Sequence, residues 1–168
     1  MIRKSDIANA LKRLDRKHSF AILSPDPSDA IDYSRLAVII YCGWLEESLD
    51  KIARRSITAR PTTTPFKDSA ENTINRTYGF QYKDHFRKMM TPLIGIANME
   101  KLEVRLAASN VLPTLISELE SIKQHRNNAA HTFEGANPAY PTPNYLLNKV
   151  DVLYPIFKSI FSFIVHLK

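Results

Sequence analysis

Apolar residues recur along this chain at three- and four-residue intervals over long stretches, without the strict alternation of strands, and this pattern predicts an all-α protein. Ile7, Leu11 and Leu14 fall on one side of a first helix that Ser5 can cap and that runs to about Leu23. The segment from Ser24 to Ser28, with Pro25 and Pro27, then breaks the chain. A second helix is predicted from Ser28 or Asp29 to about Ile57. Its middle, Leu36 to Leu45, is apolar nearly all round, so this helix should be central and buried on most faces. Past Leu45 the apolar positions thin to Leu49, Ile52 and Ala53, leaving Glu46, Glu47, Asp50, Lys51, Arg54 and Arg55 for the solvent side.

Residues 58 to 69, with Pro61, a run of threonines and Pro65, read as a connecting loop. Residues 69 to 107 predict two or three shorter helices broken near Gly79 and Gly95. Pro113 suits the first turn of a further helix, which continues through Leu115, Ile116, Leu119 and Ile122 to about Ala130. After a break from Gly135 to Pro143, Thr142 can cap and Pro143 can open a last helix, with a bend at Pro155, where an interior proline removes a backbone hydrogen bond. The whole is expected to be a single helical domain, residues 1–168. Residues 1–27 form its N-terminal helix and linker, and 143–168 its C-terminal helix. No internal repeat, heptad run or low-complexity segment is present.

Composition narrows the class of partner. An apolar share of 44% in 168 residues is enough for one real core. Lysine and arginine (23) exceed aspartate and glutamate (17), and the resulting +6 favours anionic partners such as nucleic acid or an acidic protein. The single cysteine, Cys42, excludes an internal disulfide and a cysteine-rich zinc site, and sits in the most apolar segment as an inert core residue. The opening residues through Asp15 are charged throughout and lack the apolar run of a signal peptide, so a cytoplasmic location is expected. The apolar stretch from Val152 to Leu167 is interrupted by Pro155, Lys158 and His166 and falls short of the ~20 residues of a membrane span.

One constellation carries chemistry. At ~100° per residue the stripe Leu115, Leu119, Ile122 continues onto Arg126 and then Ala129 and Ala130, so Arg126 interrupts a buried face. A guanidinium cannot be deprotonated there and needs a carboxylate, a phosphate or a solvated cleft. Asn127 and His131 stand at i and i+4 beside it, and Arg126 and His131 lie ~7.5 Å apart along the axis. Histidine and arginine suit phosphodiester cleavage by an internal 2'-hydroxyl, which needs a proton shuttle near neutral pH and positive charge at phosphorus but no metal. A helix C-terminus favours the imidazolium, so His131 can serve as acid as well as base, while Asn127 can orient the imidazole or bond a phosphate oxygen. Lys123 and Asn128 on the same helix are candidate substrate contacts. The plainer alternative is that Arg126 and His131 only cap the helix carbonyls.

The run Arg126-Asn127-Asn128-Ala129-Ala130-His131 resembles the signature of the HEPN superfamily, an arginine, a polar residue, three variable positions and a histidine at the end of a helix. The stretch Arg35 to Leu49 resembles the early long helix of stand-alone HEPN proteins of the RiboL-PSP type, and the resemblance covers the chain from about residue 28 onward. It implies an antiparallel helical bundle forming a two-fold homodimer, with a composite cleft that cuts RNA without metal or cofactor. Such proteins act as toxins, antiphage effectors or RNA-processing enzymes, and an antitoxin or defence-system protein is then an expected partner. Arg126 and His131 would be catalytic and Asn127 the auxiliary polar position. Some HEPN toxins carry a tyrosine two places after the histidine, the target of a partner nucleotidyltransferase; Phe133 stands there instead. The family also includes non-catalytic dimerisation and interaction modules.

Other candidates are weaker. His125 points away from His131 on a regular helix and is expected at the surface. His18, His85 and His166 show no ligand spacing, so no metal site is predicted, and the four glycines fit no phosphate-cradling loop. Three basic clusters could track an RNA backbone or simply face solvent: Arg13, Arg16 and Lys17; Arg54, Arg55 and Arg60; Lys83, Arg87 and Lys88.

Overall fold

The structure, a computed structural model, describes residues 3–58, 63–131 and 139–167, and every regular element among the described residues is helical. Helix α1, Lys4–Ile22, buries Ile7, Leu11, Leu14, His18 and Ala21, the i, i+4, i+7 pattern of one face against a core. It starts one residue before the predicted cap. Arg3 holds the cap position, and the Ser5 hydroxyl donates to Asp6 Oδ1 at 3.1 Å instead of serving the backbone.

Helix α2, Ser28–Thr58, matches its predicted bounds. The turn before it is set by Asp26, whose Oδ1 accepts from the Ser28 N–H at 3.0 Å; that bond holds the Asp26 carboxyl below its usual range. Ala37, Val38, Tyr41, Cys42, Trp44 and Leu45 are buried, as their pattern predicts. The expectation of burial on most faces needs one correction: Leu36 and Ile39 are 46% and 39% exposed. Among the described residues that stripe of the helix is only partly covered.

The predicted loop over 58–69 is shorter than its composition suggests, because α3, Thr64–Asn75, begins inside it. Pro65 sits in the first turn of α3, where its missing N–H costs no helix bond, so a loop-like composition opens a helix. Residues 59–62, and with them Pro61, lie outside the described residues. The two glycine breaks are real: Gly79 and Gly95 have φ of 126° and 83°, backbone that L side chains rarely adopt. Between them run a five-residue π-turn, Tyr82–Phe86, and α4, Arg87–Ile94; α5, Ile96–Ala108, follows Gly95. The predicted single helix from Pro113 to about Ala130 is two, α6, Leu112–Ser121, and α7, Lys123–His131, joined by a turn at Ile122. Helix α8, Pro143–Val165, opens as predicted, with the Tyr145 N–H donating to the Thr142 hydroxyl oxygen at 3.2 Å, and it continues through Pro155. Of the predicted break before it, residues 135–138 lie outside the described residues.

The residues fall into two compact groups. Of the described residues, the first comprises 45–58, 63–120 and 155–167, with a core that includes Leu45, Leu49, Ile74, Phe86, Met90, Leu102 and Phe157. Its surface ties are ionic: Arg54 reaches Glu71 at 3.3 Å and Asp50 at 3.6 Å, and Arg87 Nε reaches Glu103 Oε1 at 3.1 Å. The Tyr82 hydroxyl donates to the same Glu103 oxygen at 3.1 Å, and burial, with that carboxylate beside it, pushes the phenol far above its usual range, so it remains a donor. The second group comprises 3–44, 121–131 and 139–154, and its core includes Leu11, Ala37, Val38, Tyr41, Leu146, Val150 and Leu153. Among the described residues no helix is long and apolar enough to cross a membrane.

Candidate functional site

The buried stripe Leu115, Leu119, Ile122 does lead onto Arg126, which is half-buried, and Ala129 beyond it is buried again. Ala130 is exposed, contrary to the predicted stripe: at ~100° per residue it stands ~80° round from Ile122, whereas Ala129 stands within ~20° of it. Arg126 therefore carries its charge out of an apolar face. Its Nη1 donates to Asn127 Oδ1 at 3.4 Å, a long bond between sequence neighbours. The contact made by the Asn127 side chain is thus with the guanidinium.

His131 is exposed at the end of α7, one and a half turns beyond Arg126. Asn128 Oδ1 accepts from Gln124 Nε2 at 2.9 Å, and Lys123 is exposed at the start of the helix. The two predicted substrate contacts accordingly differ, Lys123 facing solvent and Asn128 engaged within its own helix. Phe133 lies outside the described residues.

A residue that pattern reasoning did not single out joins this helix end. Arg35 of α2 is half-buried, and its Nε donates to the Ala129 carbonyl at 2.8 Å. That carbonyl is an acceptor in the last turn of α7, at the negative end of the helix dipole. A guanidinium is suited to both needs. Arg35 and Arg126 thereby place two guanidinium groups on the last turns of α7, which ends at His131. The sequence signal was available only in outline, as an arginine bordering the apolar run of α2. Arg35→Met should lower unfolding stability by about 1–3 kcal/mol, since the partly buried acceptor loses its donor; urea unfolding measures it, and an unchanged midpoint would remove Arg35 from this role.

The expectation that His125 is a plain surface residue is corrected. It is half-buried, and its Nδ1 is shut off from solvent with no hydrogen-bond partner among the described residues. The ring forms part of the wall of a cavity of about 390 Å³ with Ile122, Tyr140, Pro141 and Tyr145. The lead-in to α8, residues 139–142, lies over the face of α7 that a lone helix would leave to water.

The basic clusters divide. Arg13, Arg16 and Lys17 are exposed, with Lys17 5.6 Å over the Tyr33 ring. Arg54 and Arg87 are tied to the carboxylates named above, and Lys88 pairs with Asp84 at 3.5 Å, which reduces the positive field they offer a phosphate backbone. Arg60 lies outside the described residues. Cys42 is buried. Among the described residues no group of three or more His, Cys, Asp or Glu side chains could hold a metal ion. The chain matches no known protein family, no curated protein and no solved structure.

Proposed function

We propose that this protein is a HEPN-type endoribonuclease that cuts RNA without a metal ion, in a site completed by a second copy of the chain. The observation that carries the reading is the end of α7, where a half-buried Arg126 and an exposed His131 share one short helix with the HEPN-like spacing. The all-helical chain and the Arg35 guanidinium on the last turn of α7 support it. In the reaction, a base removes the proton of a ribose 2'-hydroxyl, whose oxygen attacks the adjacent phosphorus. The bond to the 5'-oxygen breaks, and that oxygen takes a proton from an acid. The products are a 2',3'-cyclic phosphate and a 5'-hydroxyl. His131 exchanges the protons, and Arg126 balances the charge that grows on the phosphoryl oxygens. Pairing of α7 with its mate across a two-fold axis brings two such sets to one cleft.

A toxin or antiphage effector acting in the cytoplasm, restrained by an antitoxin or a defence-system partner, is the setting this activity fits. Purified protein incubated with single-stranded RNA in EDTA should yield fragments ending in a cyclic phosphate, and 2'-deoxy substitution at the scissile position should stop cleavage there. Intact RNA would overturn the reading and leave the alternative, a non-catalytic HEPN dimerisation or interaction module.

A further inference from the structure

We infer that Arg35 is a positioning residue for the end of α7, fixing the turn between Arg126 and His131 without touching substrate; its consequence rests on the nuclease reading, its geometry does not. The helix has little of its own to hold it. Its nine residues are fewer than the ~12–15 below which an isolated helix is marginal in water. The buried residue among them is Ala129, whose side chain is one methyl group, so burial anchors the helix weakly. The bonds from Gln124 to Asn128 and from Arg126 to Asn127 stay within the helix and stiffen it without fixing where it lies.

The Arg35 bond reaches α7 from another helix. Its Nε stands 2.8 Å from the Ala129 carbonyl oxygen in a partly buried setting, and a charged donor makes a stronger bond than a neutral one. Ala129 stands three residues after Arg126 and two before His131, so the tie falls between the two groups that the reaction needs together. At ~1.5 Å per residue, the His131 backbone is only ~3 Å along the axis from the point held. Last turns of helices fray, and fraying here moves the imidazole relative to the guanidinium. A misplacement of ~1 Å in a catalytic group can cost ~10²-fold in rate.

Steady-state cleavage of a short single-stranded RNA, together with amide hydrogen exchange of the full chain, tests this in Arg35→Met. The kcat should fall about ten- to hundred-fold with KM within about two-fold of the parent's. Exchange at the Ala130 and His131 amides should quicken about ten-fold or more. Arg35→Lys keeps a charged donor and should recover part of both losses. Ile7→Ala, a core truncation in α1, loosens the protein generally and should leave kcat and that local exchange near the parent's values. Cleavage by the parent with kcat unchanged in Arg35→Met would overturn the inference and spare the nuclease reading. Lost kcat with exchange at the helix end unaltered would assign Arg35 to the phosphate itself. An equal loss in Ile7→Ala would reduce the effect to general loosening. Either of these, or no recovery in Arg35→Lys, would also overturn it. No cleavage by the parent, with exchange quickened in Arg35→Met, would remove the nuclease reading and leave Arg35 as the group that positions the helix end.

Discussion

Arg126→Ala and His131→Ala should each slow the proposed RNA cleavage by about 10²- to 10⁴-fold while leaving the helical content unchanged. The size follows from the two roles. A positioned proton donor or acceptor is worth ~10²–10⁴-fold, and a preorganised cation at a developing oxyanion contributes a comparable factor. His131 is exposed, so its removal uncovers no core, and the loss should appear in kcat at an unaltered melting temperature. Arg126 is half-buried and emerges from an apolar stripe, so its alanine variant must be shown to remain folded by circular dichroism. Arg126→Lys adds a sharper comparison, because it keeps the charge and loses the planar fork; only partial rescue is expected. Wild-type rates in both alanine variants would detach the motif from any cleavage the protein performs. Lost dimer mass in Arg126→Ala, with no RNA cut by the parent protein, would point to the interaction module.

The largest loss of stability is expected at Phe86. Its side chain is fully buried at the end of the π-turn, and its ring centre lies 5.8 Å from that of Tyr82. Phe86→Ala should cost about 3–5 kcal/mol, the usual sum of lost transfer energy and residual cavity for a large aromatic core residue. For a chain of this length that is a fall of roughly 6–20 °C in melting temperature. A shift below about 3 °C by differential scanning calorimetry would mean that the site collapses around the missing ring or that the π-turn is already loose.

The HEPN-like run could be found in the sequence because it lies within six consecutive residues of one helix, where spacing alone determines which side chains share a face. The same holds for the cores of α1 and α2 and for the breaks at Gly79 and Gly95: each depends on a local period or on a backbone angle that one residue type permits. Thr142 and Pro143 announce the start of α8 for a similarly local reason. Where the sequence misled, two local tendencies competed. Pro65 belongs to loops and to first turns alike, and the run from Pro113 to Ala130 has the period of one helix although the chain turns at Ile122.

Local pattern was enough for the all-helical class, for the faces of the long helices and for the presence of an arginine and a histidine on one short helix. Tertiary structure alone decided that Arg35, 94 residues away, holds the Ala129 carbonyl, and that residues 139–142 lie over His125 to form a cavity. The reason is one of range. Helical period is set by neighbours within four residues, whereas the donor that reaches a carbonyl near a helix end and the segment that covers an imidazole come from whichever distant part of the chain the packing delivers.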